Sequence, residues 1–195
     1  MAHHLCRRSA PQGRLDARGS AIVELALALP MFMVLVFGVV DLGHAINTRL
    51  ILTNVCREGG SIGCRQEPLS ATLPDMMASS AQPLALNGPD GRIIVTRIGA
   101  GTSAQSPAPR ISAQYQRGGL AVTGSATPSA TRLGLTPALY QRLVFDSQQN
   151  IADLTGVTVV EVWFKYRPIT PLSRFLPALL TPDDGGLIMH SRSVF

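Results

Sequence analysis

The chain has 195 residues and a formal net charge of +5; 46% of its residues are hydrophobic and only 15% are charged. That length suits one domain plus a membrane anchor, or at most two small units. The arginines are scattered, Lys165 is the single lysine, and no basic run is interleaved with aromatics, so a nucleic-acid partner is not expected.

Residues 1–19 form a short basic segment in which Arg7, Arg8, Arg14 and Arg18 are opposed only by Asp16. Ala21 to Val40 follows, an apolar run of about 20 residues, the length a helix needs to cross a hydrocarbon core. Glu24 is its only charge, and Asp41 stands just beyond it. A cleaved secretory signal is the competing reading, but its apolar region is normally about 7–15 residues and ends at a small-residue site. Here the helical pattern continues past Asp41, which favours an anchor. The arginine bias predicts a cytoplasmic N-terminus and an exported remainder. The cysteine count is odd, and the span separates Cys6 from Cys56 and Cys64.

Two residues within the span need a reason. Pro30 removes a backbone donor and predicts a kink, which serves either as a bend alone or in subunit packing. Glu24 is costly in lipid unless it lies near the interface, finds a cation or becomes neutral. One reading is an interfacial acid at the positive end of the helix dipole. The other starts from cleavage after Gly19. Ser20 then carries a free α-ammonium, and Glu24 lies about one helical turn further in. A neighbouring subunit shifted along the axis could pair its amine with that acid, neutralising both groups.

Residues 44–58 continue as an amphipathic helix with Ile46, Leu50 and Val55 at roughly helical spacing and Ile51 and Leu52 beside them. Gly59 and Gly60 are expected to end it. On a continuous helix Cys56 and Cys64 would lie about 12 Å apart, too far to bond. Gly59, Gly60 and Gly63 allow the chain to fold back, so a Cys56–Cys64 disulfide is expected, with two free thiols as the alternative.

The rest reads as a mixed α+β unit. "EPLSATLPDMMASSAQPLAL" holds a short helix with Pro74 in its first turn and Met76 and Met77 toward the core. "GRIIVTRIG" (91–99) and "RISAQYQR" (110–117) alternate as a hairpin pair. Residues 99–109 and 118–136 are expected to be flexible loops. "PALYQRLVFDSQQN" predicts a helix capped by Thr136 with Pro137 at its first position. "VTVVEVWFKYRP" (157–168) is the strongest strand. Thr158, Val160, Val162, Phe164 and Tyr166 form its buried face, and the mixed face of Val157, Val159, Glu161, Trp163, Lys165 and Arg167 is expected to be exposed. "LIMHSRSV" (187–194) makes a closing strand. No catalytic or metal-binding constellation is readable. His3, His4, His44 and His190 lie in no nucleophile or ligand motif, Asp183-Asp184 reads as a turn, and neither G-x-S-x-G nor a phosphate-binding glycine loop occurs. No enzyme activity, metal or cofactor is expected.

Arg18-Gly19-Ser20-Ala21-Ile22-Val23-Glu24, placed between a basic leader and an apolar run, resembles the type IV pilin and pseudopilin signature. Residues 18–60 more narrowly resemble the TadE-like family of tight-adherence pseudopilins, through Gly19, Glu24, the "ALP" around Pro30, Gly38, Asp41, Gly43 and Arg57-Glu58-Gly59-Gly60. "VTVVEVWFKYRPITPL" is similar to that family's alternating strand and Pro-rich turn. The resemblance implies cleavage between Gly19 and Ser20 by a prepilin peptidase, removing 1–19 as a leader. A membrane-crossing and extended helix at 20–60 would then carry a periplasmic, pilin-like head at 61–195 with a small antiparallel sheet. It also implies a minor pseudopilin of a tight-adherence (Flp-type) pilus machine, held in the bacterial inner membrane or at the base of a pilus. Its partners would be other pseudopilins, inner-membrane platform proteins and lipid, and its role would be in surface adhesion and biofilm. An unprocessed single-pass scaffold or adhesive protein is the alternative.

Overall fold

Gly13–Gly63 forms a single 51-residue helix, α1, about 75 Å long at 1.5 Å per residue. The computed structural model describes residues 13–148, 151–171 and 186–195. The leader residues 1–12, with Cys6, Arg7 and Arg8, and the expected turn at Asp183-Asp184 lie outside them. The remaining elements are α2 (Leu73–Ser80), β1 (Gly91–Gly99), β2 (Arg110–Arg117), a 3-10 turn (Thr131–Gly134), α3 (Pro137–Leu143), β3 (Gly156–Tyr166) and β4 (Leu187–Val194). The architecture is α+β, a long apolar N-terminal helix followed by a small sheet with short helices.

The four strands form one antiparallel sheet in the order β2-β1-β3-β4. The hairpin partners β1 and β2 occupy one side, and β3 returns on the other side of β1, with Val95 opposite Val160 and Ile94 opposite Glu161. Alternation along each strand sends residues to two faces. On the first face Ile93, Val95, Val160, Val162, Tyr166 and Met189 pack against Leu52, Val55 and Cys56 of α1 and Leu73 and Met77 of α2. Asp75 of α2 meets Arg117 of β2 in a two-pronged ion pair, with Nε–Oδ1 at 2.5 Å and Nη2–Oδ2 at 3.0 Å. The guanidinium holds the Asp75 carboxyl below the usual carboxylate range.

The second face corrects an expectation. Val157, Val159, Glu161 and Trp163 are buried rather than exposed. The Gly/Ser/Thr-rich stretch 118–136 and α3 lie across them, placing Ala126, Leu135 and Leu143 on Ile98, Val157 and Val159. The stretch is irregular apart from its 3-10 turn, but it is tied down: Gln114 Nε2 donates to Ala126 O (3.1 Å) and Arg192 Nη2 to Gly134 O (2.7 Å). Composition correctly denies this stretch regular structure. It says nothing of the apolar sheet face available for it to cover.

The end of α1 differs as well. The helix continues through Gly59 and Gly60 to Gly63 because these glycines are contact surfaces. A side-chain carbon at Gly59 would collide with Met77, and one at Gly60 with the Phe195 ring. Glycine in a helix interior costs about 1 kcal/mol relative to alanine, and this close packing offsets it. The unbroken helix keeps Cys56 and Cys64 apart, and both are free thiols. The expected disulfide is therefore not formed. Cys56 donates instead to Val160 O across the helix–sheet seam (3.2 Å), and Cys64 to Ser61 O (3.2 Å). Burial pushes the Cys56 thiol pKa up, which suits a packing role rather than a reactive one.

Three smaller differences have local causes. Met77 is buried, but Met76 is half exposed because it lies on the outer side of α2. α3 ends at Leu143, where Val144 turns extended, Phe145 N bonds Pro107 O (2.9 Å) and the Asp146 carboxylate accepts from Gln148 N (2.8 Å). β3 stops at Tyr166, since the chain beyond it bends onto α1.

Candidate functional site

α1 divides into two stretches with opposite surroundings. From Gly19 to Val40 nearly all its large apolar side chains face outward; Leu27 is 74% and Met31 79% exposed. Among the described residues α1 is the one helix long and apolar enough to cross a membrane. Its backbone donors and acceptors are paired internally, as lipid requires, and an apolar surface of this extent needs lipid or other helices around it. These features suit α1 to a single crossing of a membrane, the one such helix among the described residues.

Within this stretch the Gly19–Ser20 peptide lies inside the helix. Apart from the neighbouring backbone of the helix itself, no heavy atom among the described residues lies within 4 Å of where a side-chain carbon at Gly19 would stand, so a methyl group there meets nothing else among them. Glu24 is exposed on the helix surface and forms no ion pair among the described residues. Its distance from Ser20 is four residues, about 6 Å along the axis. Pro30 sits inside the helix, which is assigned without interruption on both sides of it.

Past Val40 the helix acquires an inside and an outside. Thr48, Leu52, Val55 and Cys56 are buried on the sheet. Leu42, Ile46 and Leu50 recur every four residues on the outer side and are 54–62% exposed. The sequence groups Ile46 and Leu50 with Val55, whereas the structure puts Val55 inward and the other two outward. Periodicity alone cannot assign the faces here because apolar residues occur on both.

Asp41 marks the boundary. It is only 8% exposed. Its Oδ1 accepts from the backbone N–H groups of Ile169 (3.0 Å) and Thr170 (3.1 Å), and its Oδ2 accepts from the Thr170 hydroxyl. Tyr166 Oη donates to the Asp41 carbonyl (2.9 Å), and the His44 ring packs on the Tyr166 ring at 5.4 Å. Burial, and secondarily the Asp41 charge, raises the Tyr166 pKa. Sequence reasoning marks Asp41 as the end of the apolar run and as one element of the TadE-like resemblance, but gives it no partners. Its partners lie more than 120 residues away, and the only local hint is a carboxylate where the span ends.

A second polar cluster lies on the covered sheet face. Glu161 is fully buried, and its carboxylate accepts from the Ser125 backbone N–H (2.9 Å to Oε2) and from the Ser125 hydroxyl. Arg192 Nε and His190 Nε2 each lie 3.8 Å from Oε1, and the His190 ring stacks on Trp163 at 4.6 Å. Burial lowers the His190 pKa despite the attraction of Glu161. The Ser125 hydroxyl and backbone N–H both donate hydrogen bonds to this carboxylate, so the cluster holds the 118–136 stretch on the sheet.

Comparison with known proteins decides the identity of the helix. Residues 19–61 match the family model described as TadE-like protein. The chain is TadE-like in this helix. The match begins at Gly19, takes in Glu24, Pro30 and Asp41, and ends near the last turn of α1, leaving the head unmatched. No curated protein and no solved structure matches the chain.

Proposed function

We propose that this chain is a minor pseudopilin of a tight-adherence (Flp-type) pilus machine, a structural subunit that is not an enzyme. The observation that carries the reading is the outer surface of the TadE-like helix. It is apolar on all sides through the span, bears one carboxylate a turn beyond Ser20, and continues past the span as the stripe Leu42, Ile46, Leu50. Such a surface suits lateral packing with other apolar helices. A prepilin peptidase cuts between Gly19 and Ser20, and the freed amine of one subunit pairs with Glu24 of its neighbour. The N-terminus faces the cytoplasm, the head stands in the periplasm, and the partners are other pseudopilins and platform proteins of the inner membrane. The assembled pilus serves surface adhesion and biofilm formation.

Intact-mass analysis of membrane-extracted protein tests the cleavage. The expected chain begins at Ser20, and Gly19→Ala retains residues 1–19; the open space around Gly19 makes misfolding a poor explanation of that result. A natural chain that still begins at Met1 overturns processing and leaves a static single-pass scaffold. Glu24→Ala tests the pairing. It should leave insertion intact and lower recovery of partner subunits by about tenfold, equivalent to about 1.4 kcal/mol. Undiminished recovery removes Glu24 from assembly.

A further inference from the structure

We infer that the lower rim of the head is a bilayer-docking surface with a preference for anionic lipid headgroups. The inference rests on α1 spanning the membrane. It adds a second, lateral contact between the head and the same lipid surface.

The geometry begins at Asp41, the first residue after the apolar run. Ile169 N lies 3.0 Å from its carboxylate, and Tyr166 Oη lies 2.9 Å from its carbonyl. At the other end of the helix, Gly63 abuts Thr158. β3 therefore runs back toward the membrane as α1 runs away from it, and its Tyr166 end lies at the depth where the span emerges. β4 starts at the same level, since Leu187 pairs with Tyr166 and Ile188 with Lys165. Ile169, Leu187 and Ile188 are 65%, 50% and 51% exposed there. Successive strand residues point to opposite sides of a sheet, so Leu187 and Ile188 straddle its lower edge.

Charge on this rim complements an anionic surface. A groove of about 420 Å³ opens beside it, lined in part by His44, Asp90, Lys165, Tyr166 and Arg167. Arg167 pairs with Asp90 at 2.9 Å, while Lys165 has no acidic partner among the described residues. Lysine and arginine place their stems along apolar surface and their charged ends at headgroup level. The headgroup zone is about 5–8 Å deep on each side of the hydrocarbon core, enough to receive the three apolar side chains. Because the head packs on one side of α1, this rim overhangs the membrane beside the span.

The test uses the full chain in nanodiscs containing phosphatidylglycerol and dibrominated phosphatidylcholine. Trp163→Phe removes the only tryptophan, and single tryptophans are then placed at Leu35, Ile188 or Met76. Ile188→Trp should lose about half its emission to shallow bromines, as expected for an interfacial side chain. Met76→Trp, on exposed α2, should lose little. Equal quenching of Ile188→Trp and Met76→Trp, with Leu35→Trp strongly quenched, overturns the docking surface while leaving the span intact. An unquenched Leu35→Trp overturns the span and this inference with it. A second measurement leaves the rim native. Lys165 is the only lysine, so acylation by a water-soluble amine reagent, read by mass spectrometry on the peptide that carries Lys165 and so separated from the α-amine, reports on one rim site. Its rate should fall about threefold or more in phosphatidylglycerol nanodiscs relative to phosphatidylcholine ones, because anionic headgroups attract the ammonium. Equal rates overturn the anionic preference.

Discussion

The two stretches of α1 share one backbone, but 17 of 22 residues from Gly19 to Val40 are apolar against 9 of 23 from Asp41 to Gly63, and they solve different problems. Gly19–Val40 buries nothing within the chain, so its side chains need only be apolar. From Asp41 to Gly63 each position is either packed on the sheet or left outside, and a shift of one residue changes its surroundings. Helical continuity is therefore compatible with two kinds of selection on the residues, one for mean apolarity and one for shape.

Paired substitutions test that contrast most strongly. Leu52→Ala opens a cavity beneath Val160 and Val162 and should destabilise the head by about 2–5 kcal/mol. Leu27→Ala should leave it unchanged within about 0.5 kcal/mol. Urea unfolding of the full chain in detergent measures both, and equal effects would abolish the distinction between the two stretches. Asp41→Ala should have the next largest effect, about 1–3 kcal/mol, because it removes the buried carboxylate that accepts from the Ile169 and Thr170 amides. Hydrogen exchange should accelerate at those two amides and leave Val160 protected. The outer stripe should separate stability from assembly: Ile46→Ser with Leu50→Ser should move the unfolding midpoint little, by about 0.5 kcal/mol or less, while reducing recovery of partner subunits. The smallest effect belongs to His190. Its folded pKa lies below the ordinary value of 6.5, so the unfolded chain binds more protons as the pH falls below that value. The stabilising contribution is present above pH 6.5 and is lost as the pH falls toward the folded pKa. His190→Gln should flatten this acid dependence of the unfolding midpoint.

Much of the architecture was legible because it depends on local chemistry. The strands at 91–99, 110–117 and 187–194 carry their alternation openly, and Thr136-Pro137 marks the start of α3. The residues of the candidate site were less evenly readable. Gly19, Glu24 and Pro30 announce themselves by position in an apolar run. Asp41, Ser125 and Glu161 acquire partners only through contacts 36 to 129 residues apart in the chain. The 118–136 stretch shows the same limit, since a Gly/Ser/Thr-rich composition cannot reveal that a sheet face lies waiting beneath it.

By itself the sequence determined a membrane-length helix, a basic segment before it, a cleavage-compatible glycine and a lone acid, because length, hydropathy and charge act without regard to fold. The tertiary structure decided which side of α1 faces the head, why its glycines sustain the helix, why Cys56 and Cys64 stay apart, and how Asp41 anchors the head at the end of the span. Those outcomes depend on which surfaces meet, and burial rewards a contact only once distant segments have been brought together.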